Sequence, residues 1–237
     1  MVDMGTEKKT NRKPRKQAER SVLSDRRLTE AAIELLVRRG IQGTTLQAVG
    51  EVAGYSRALA THRFGSKAGL FGNVLRVLSA DWLAFVKDAV GDKVGLDALG
   101  AATDAAEEFI RERPDEIKAM YLLWFMSIDP GADYTSNIGS VHKAQRRDVA
   151  RWIAAGQRSG QVVRDVDPER VAEQYAASMA GIVYQWLANP TIGLSVMFGQ
   201  LKQDLYARLS NANLSAPRSR EVQKTPDPLR KLADGFG

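Results

Sequence analysis

The apolar positions of this chain recur at helical spacing almost throughout. Leu28, Ala32, Leu35 and Leu36 share one face, which predicts a first helix over 23–39, with Ser24 and Asp25 as candidate caps and Gly40 as its stop. Thr44-Thr45 opens a short helix over 46–53. Gly54-Tyr55-Ser56 then makes a turn, and Ser56 can cap a third helix over 57–63. After the break Phe64-Gly65-Ser66, a long fourth helix is predicted over 67–90, with Leu70, Val74, Val77, Leu78, Trp82 and Phe85 in one stripe. Further helices are expected near 96–112, 115–127, 135–159, 168–188 and 191–209, bounded by Pro114, Pro130-Gly131, Gly160 and Asn189-Pro190. No stretch sustains two-residue alternation between turn signals. The predicted fold class is all-α, with nine helices.

Composition marks the two ends apart from the rest. Residues 1–20 hold seven Lys/Arg against three Asp/Glu with hardly an apolar side chain, and read as a disordered basic arm. Residues 211–237 carry Pro217, Pro226 and Pro228 among polar residues and read as a disordered tail. The net charge is +6, yet 21–210 balances at 22 of each sign, so the positive potential gathers toward the N-terminal end. That asymmetry suits a polyanion at one end of the molecule, although basic tails also serve solubility alone.

Several chemistries are excluded. The chain has no cysteine, and its two histidines, His62 and His142, are too few for a histidine-rich metal site. No His-Glu pair has zinc spacing, and no Glu-x-x-His has di-iron spacing. Gly65-Ser66-Lys67 resembles part of a phosphate loop but lacks the earlier glycine. Glu107-Glu108 reads as a solvated face. Neither an enzyme nor a cofactor is expected. The first twenty residues contain no apolar run of a secretory signal, and the greasiest later stretch, 120–128, is far short of the ~20 residues a membrane helix needs. The expectation is a cytoplasmic protein without a membrane partner.

The segment 45–67 carries the functional signal. Two short helices joined by a glycine-containing turn, behind a longer first helix, form a helix-turn-helix pattern. Gly50 falls where the short helices cross, Gly54 makes the turn, and Val49, Val52 and Ala53 are expected on the apolar side. The third helix then presents Arg57, Ala58, Thr61 and His62 outward, toward a major groove.

Over about residues 22–78 the chain resembles the TetR family of transcriptional regulators. The resemblance rests on Ala31-Ala32, Gly40, Thr44-Thr45, Ala53-Gly54-Tyr55-Ser56 and Phe64-Gly65-Ser66-Lys67. It departs at Tyr55, where the family has a small apolar residue, at Ala58, where it has Gly, and at Thr61, where it has a phosphate-reaching Tyr. The resemblance implies a DNA-binding head over 21–68 and a helical ligand-binding and dimerisation domain over 69–210. It implies double-stranded DNA, a small-molecule effector and a second copy of the chain as partners. Thr45, Ser56 and Lys67 become expected phosphate contacts. Arg57 becomes the expected base reader, since Arg to guanine is the commonest specific pair. Tyr55 is a substitute for the missing reach, and His62 and Arg63 lie on or beside the reading face.

For the distal half the resemblance implies an effector pocket and a dimer face. Tyr121, Trp124, Trp152 and Gln174 are the pocket candidates, on helices rich in large apolar residues. The run Met120–Met126 is apolar nearly all round and is expected to be buried on all sides. Ala172, Ala176, Ala177, Ala180, Gly181 and Tyr184 share one face of helix 168–188, and Leu194, Met197, Phe198, Leu201 and Leu205 stripe the last helix. Across a two-fold axis these would form a four-helix interface, with Ala176, Ala180, Tyr184, Met197, Phe198 and Leu201 as its candidates. The implied function is a ligand-responsive repressor on a palindromic operator. An activator of the same family, or a basic helical interaction module, is the alternative.

Overall fold

A long N-terminal helix, α1 (Arg12–Gly43), begins eleven residues before the start expected at residue 23. The computed structural model describes residues 12–128 and 138–210. The expected disordered arm is thereby corrected over 12–20, where Arg, Lys, Gln, Ala and Glu are good helix formers and Pro14 sits harmlessly in the first turn. Residues 1–11, like the tail 211–237, lie outside the described residues. Because the helix starts early, Ser24 and Asp25 are interior positions and not caps; the Ser24 hydroxyl donates to the Ser21 carbonyl at 2.8 Å. Gly40 breaks the helix as expected, at φ 66° and ψ −173°, before it resumes to Gly43.

Then follow α2 (Leu46–Ala53), α3 (Arg57–Phe64), α4 (Lys67–Val90), α5 (Gly95–Glu112), α6 (Pro114–Met126), α7 (Ile138–Arg158), α8 (Pro168–Ala188) and α9 (Leu194–Leu209). Among the described residues there is no strand, only an isolated bridge between Val162 and Ser210. The last helix begins at Leu194 because Asn189 and Thr191 fold the chain into a turn through the Asn189 side chain.

One apolar core joins the N-terminal helices to the rest. It runs from Leu28, Leu36, Val49 and Ala60 through Leu70, Phe71, Val74 and Leu78 of α4 to Phe109, Met120, Leu123 and Phe198. α4 packs against α1, α3, α5 and α6, and α6 also lies directly on α1. Among the described residues α4 is the one helix long and apolar enough to cross a membrane. Here its apolar residues pack on protein: Phe109 receives Trp82 and Phe85 edge-on at 5.2 and 5.3 Å. A second cluster ties α5, α7, α8 and α9 through Leu99, Ile153, Tyr175 and Leu205.

Two expectations about burial fail. Val52 is 44% exposed, because α2 buries only Val49 and Gly50. Phe125 is 51% exposed, so α6 buries Ile117, Met120, Tyr121 and Leu123 but not its whole circumference.

Glycine sets the closest approach at the α3–α4 junction. A methyl at Gly69 would overlap the backbone carbonyl oxygen of Phe64, which cannot swing away as a side chain could. Gly69→Ala is therefore expected to lower stability by about 1–3 kcal/mol in chemical denaturation. Gly181→Ala, where a methyl meets nothing within 4 Å, should not destabilise the isolated subunit.

Candidate nucleic-acid interface

Three side-chain caps start the three helices that form this end of the molecule. The Thr45 hydroxyl accepts the Ala48 amide at 3.1 Å, Ser56 accepts Leu59 at 3.2 Å, and Ser66 accepts Gly69 at 3.0 Å. Between α2 and α3, Gly54 takes the left-handed conformation at φ 76°, and the Tyr55 amide returns to the Gly50 carbonyl at 2.7 Å. A β-carbon on Gly50 would stand 3.1 Å from the backbone of Tyr55 and Ser56. The absence of a side chain there is what lets α3 cross close to α2.

α3 is thereby split into two faces. Ala60 is fully buried and Leu59 and Phe64 are half-buried, whereas Arg57, Ala58, Thr61 and His62 are exposed together. The spacing i, i+1, i+4, i+5 makes these four one continuous strip. Thr45 and Ser56 are exposed at the adjoining helix starts, where unpaired backbone N–H groups favour an anion.

The remaining candidates lie elsewhere. Tyr55 is half-buried and packs on the main core, so its ring is used internally. Lys67 is half-buried at the start of α4 with its ammonium 5.5 Å from the Phe71 ring centre, and burial pushes its pKa down. Arg63 lies beside the strip: its Nε is 3.0 Å from Asp25 Oδ1 of α1, and its side chain is 27% exposed. Sequence reasoning missed two groups. Ser66 stands at a break in the helical pattern, yet its spacing before Gly69 matches the other caps. Gln47, two residues after Thr45, is exposed on α2 and donates to Glu51 at 3.0 Å.

The four pocket candidates do not converge. Tyr121 is buried, its ring 4.9 Å from Trp124, and its hydroxyl donates to the Ala180 carbonyl at 3.2 Å. Trp152 packs with a different cluster, around Ile153 and Val171. Gln174 is exposed and accepts from Arg208 of α9 at 2.7 Å, because its position on α8 faces solvent while Tyr175 faces in. Neither the groove lined by Asp25, Arg63 and Asn73 nor the one lined by Arg147, Arg151 and Glu169 touches any of the four. On the proposed dimer face, Ala180 and Tyr184 are exposed and Ala176, Met197 and Leu201 half-buried. Phe198 is buried at 1% exposure and belongs to the subunit's own core, since it points from α9 back toward the main cluster.

His142 of α7 meets Trp124 edge-on at 4.7 Å. Burial, and then the Arg146 charge, hold its pKa below the ordinary value of about 6.5. The unfolded chain therefore binds this proton first, and stability contributed by the neutral ring is lost as pH falls below about 6.5. Thermal melts of His142→Gln should decline less between pH 7 and 5 than those of the native sequence.

Residues 28–74 match the model for bacterial regulatory proteins of the tetR family. A curated relative, the HTH-type transcriptional regulator RutR of Escherichia coli O157:H7, is 26% identical over 149 residues. That match spans 61% of this chain and 66% of the relative, just under two thirds of its length. Among solved structures, a TetR-family transcriptional regulator from Rhodococcus sp. superposes with a TM-score of 0.66 at 22% identity, covering 80% of this chain and all of the other. AibR in complex with isovaleryl coenzyme A and operator DNA superposes with a TM-score of 0.65 at 16% identity, covering 78% of this chain and 99% of its own. These likenesses give the same all-α architecture, and over residues 28–74 the chain is similar to the N-terminal region of the tetR family of bacterial regulatory proteins.

Proposed function

We propose that the protein is a ligand-responsive transcriptional repressor that binds a palindromic DNA operator as a homodimer. The observation that carries this reading is the strip Arg57, Ala58, Thr61 and His62, exposed together on a short helix whose other face is buried. A short helix with one free face and its N-terminus open suits a major groove. Arg57, at the first position, is the base reader, bidentate to guanine. Thr45 and Ser56 donate their hydroxyl hydrogens to phosphates while their oxygens keep the helix caps. Thr61, His62 and Lys67 add backbone contacts, and Ala58 leaves room for close approach.

In this reading the head comprises 21–68 and the effector and dimerisation domain 69–210. The second copy docks on α8 and α9, where Ala177, Ala180, Gly181 and Tyr184 lie exposed beside Val196, Gln200 and Gln203. Small residues permit close helix approach, and the two-fold axis sets two α3 helices about 34–36 Å apart for successive grooves. The effector is small and largely apolar, in keeping with the aromatic residues of α6 and α8. AibR offers a parallel, being solved with both a small molecule and operator DNA. An effector acts by favouring one head spacing, within the limit of its differential affinity for the two states.

Selection of bound fragments from genomic DNA supplies the operator for the test. Arg57→Ala should weaken operator binding by roughly 10- to 100-fold, while random duplex affinity changes little. Equal loss on both would remove Arg57 from base reading. Gly181→Trp should yield a folded monomer in sedimentation where the native chain is a dimer; a native chain that sediments as a monomer at micromolar concentration would refute the dimer.

A further inference from the structure

The position of α3 depends on more than the apolar core. Beside that core, at the junction of α1, α3, α4 and α6, lies an open groove of about 620 Å³. Its lining includes Asp25, Thr29, Arg63, Asn73 and Glu116. Apolar contact is non-directional, so on the open side no packed surface fixes the angle between α3 and the helices beneath it. An ion pair and a chain of hydrogen bonds stand there in its place. Arg63 in the last turn of α3 reaches Asp25 of α1 at 3.0 Å. One turn further along α1, Thr29 accepts the Asn73 amide of α4 at 3.0 Å, and Arg76 donates to the Asn73 oxygen at 2.8 Å.

We propose that Asp25 and Arg63 are positioning residues that strap α3 to α1 across this groove and so hold the exposed strip at its working tilt. The inference deepens the reading of α3 as the groove-entering helix and rests on it. The pair is only partly shielded, with side-chain exposures of 27% for Arg63 and 47% for Asp25, so its direct strength is small. Its leverage is geometric. It ties the end of α3 farthest from the Gly54 turn, where a small rotation moves the helix most. It also explains why an arginine next to the exposed strip is not part of it.

The strap and a direct phosphate contact predict opposite results. Asp25→Asn removes a negative charge, which by itself would tighten binding to DNA. If the pair is a strap, Asp25→Asn and Arg63→Gln each weaken duplex binding roughly three- to five-fold. The double variant is no weaker than either single, and the slope of log affinity against log salt is unchanged. Arg63→Lys, which keeps the charge, retains part of the native affinity. In the DNA-free protein, amide exchange across 57–64 quickens in both single variants, while exchange in α8 and α9 stays native. Tighter binding by Asp25→Asn, or a slope lowered by about one phosphate in Arg63→Gln, would overturn the proposal, as would native exchange over 57–64 in both singles. The exchange measurement needs no DNA. A native chain that bound no duplex would defeat the functional reading, and the exchange result would still decide the strap.

Discussion

The fold depends on one continuous apolar core that passes through α4. Leu70, Phe71, Val74 and Leu78 carry it from Val49 and Ala60 at the N-terminal end to Phe109 and Met120 in the distal half. The two ends of the molecule are therefore packed into each other and not merely tethered. Interiors this dense have a few discrete arrangements and little continuous give. A rearrangement around α6 has two direct routes to the α2–α3 unit, through α4 and through the contact of α6 on α1.

Against that core, the exposed surface of α3 is set by small features. The Gly50 crossing and the Gly54 turn bring α3 close to α2, and the Ser56 cap fixes where it starts. The result is a helix of eight residues that would be marginal alone. It is ordered by Ala60 and Phe64 inside and offers Arg57, Ala58, Thr61 and His62 outside.

Helices and turns were legible in the sequence wherever a local rule governs. Apolar period gave α4, α8 and the start of α2 almost to the residue, and glycine gave the breaks at Gly40, Gly54 and Gly65, all with positive φ. The exposed strip of α3 was legible for the same reason, since helical period alone separates it from Ala60. What was not legible depends on contacts between elements. Arg63 looks like a reading residue until Asp25, 38 positions away in the chain, captures it. Phe198 looks like an interface residue until α9 turns it into the subunit core, and Gln174 looks inward until α8 settles with Tyr175 on the buried side. The extended start of α1 was missed because a polar helix without an apolar stripe has no period to read.

The central claim is that the outward strip of α3 enters a duplex groove, with two copies set by the α8–α9 face. Methylation protection of a genomic fragment recovered by the protein tests it most directly. Two patches of shielded guanine N7 atoms are expected, in major grooves about one helical turn apart and related by a dyad. Shielding in a single patch, or no fragment recovered above random DNA, would contradict it.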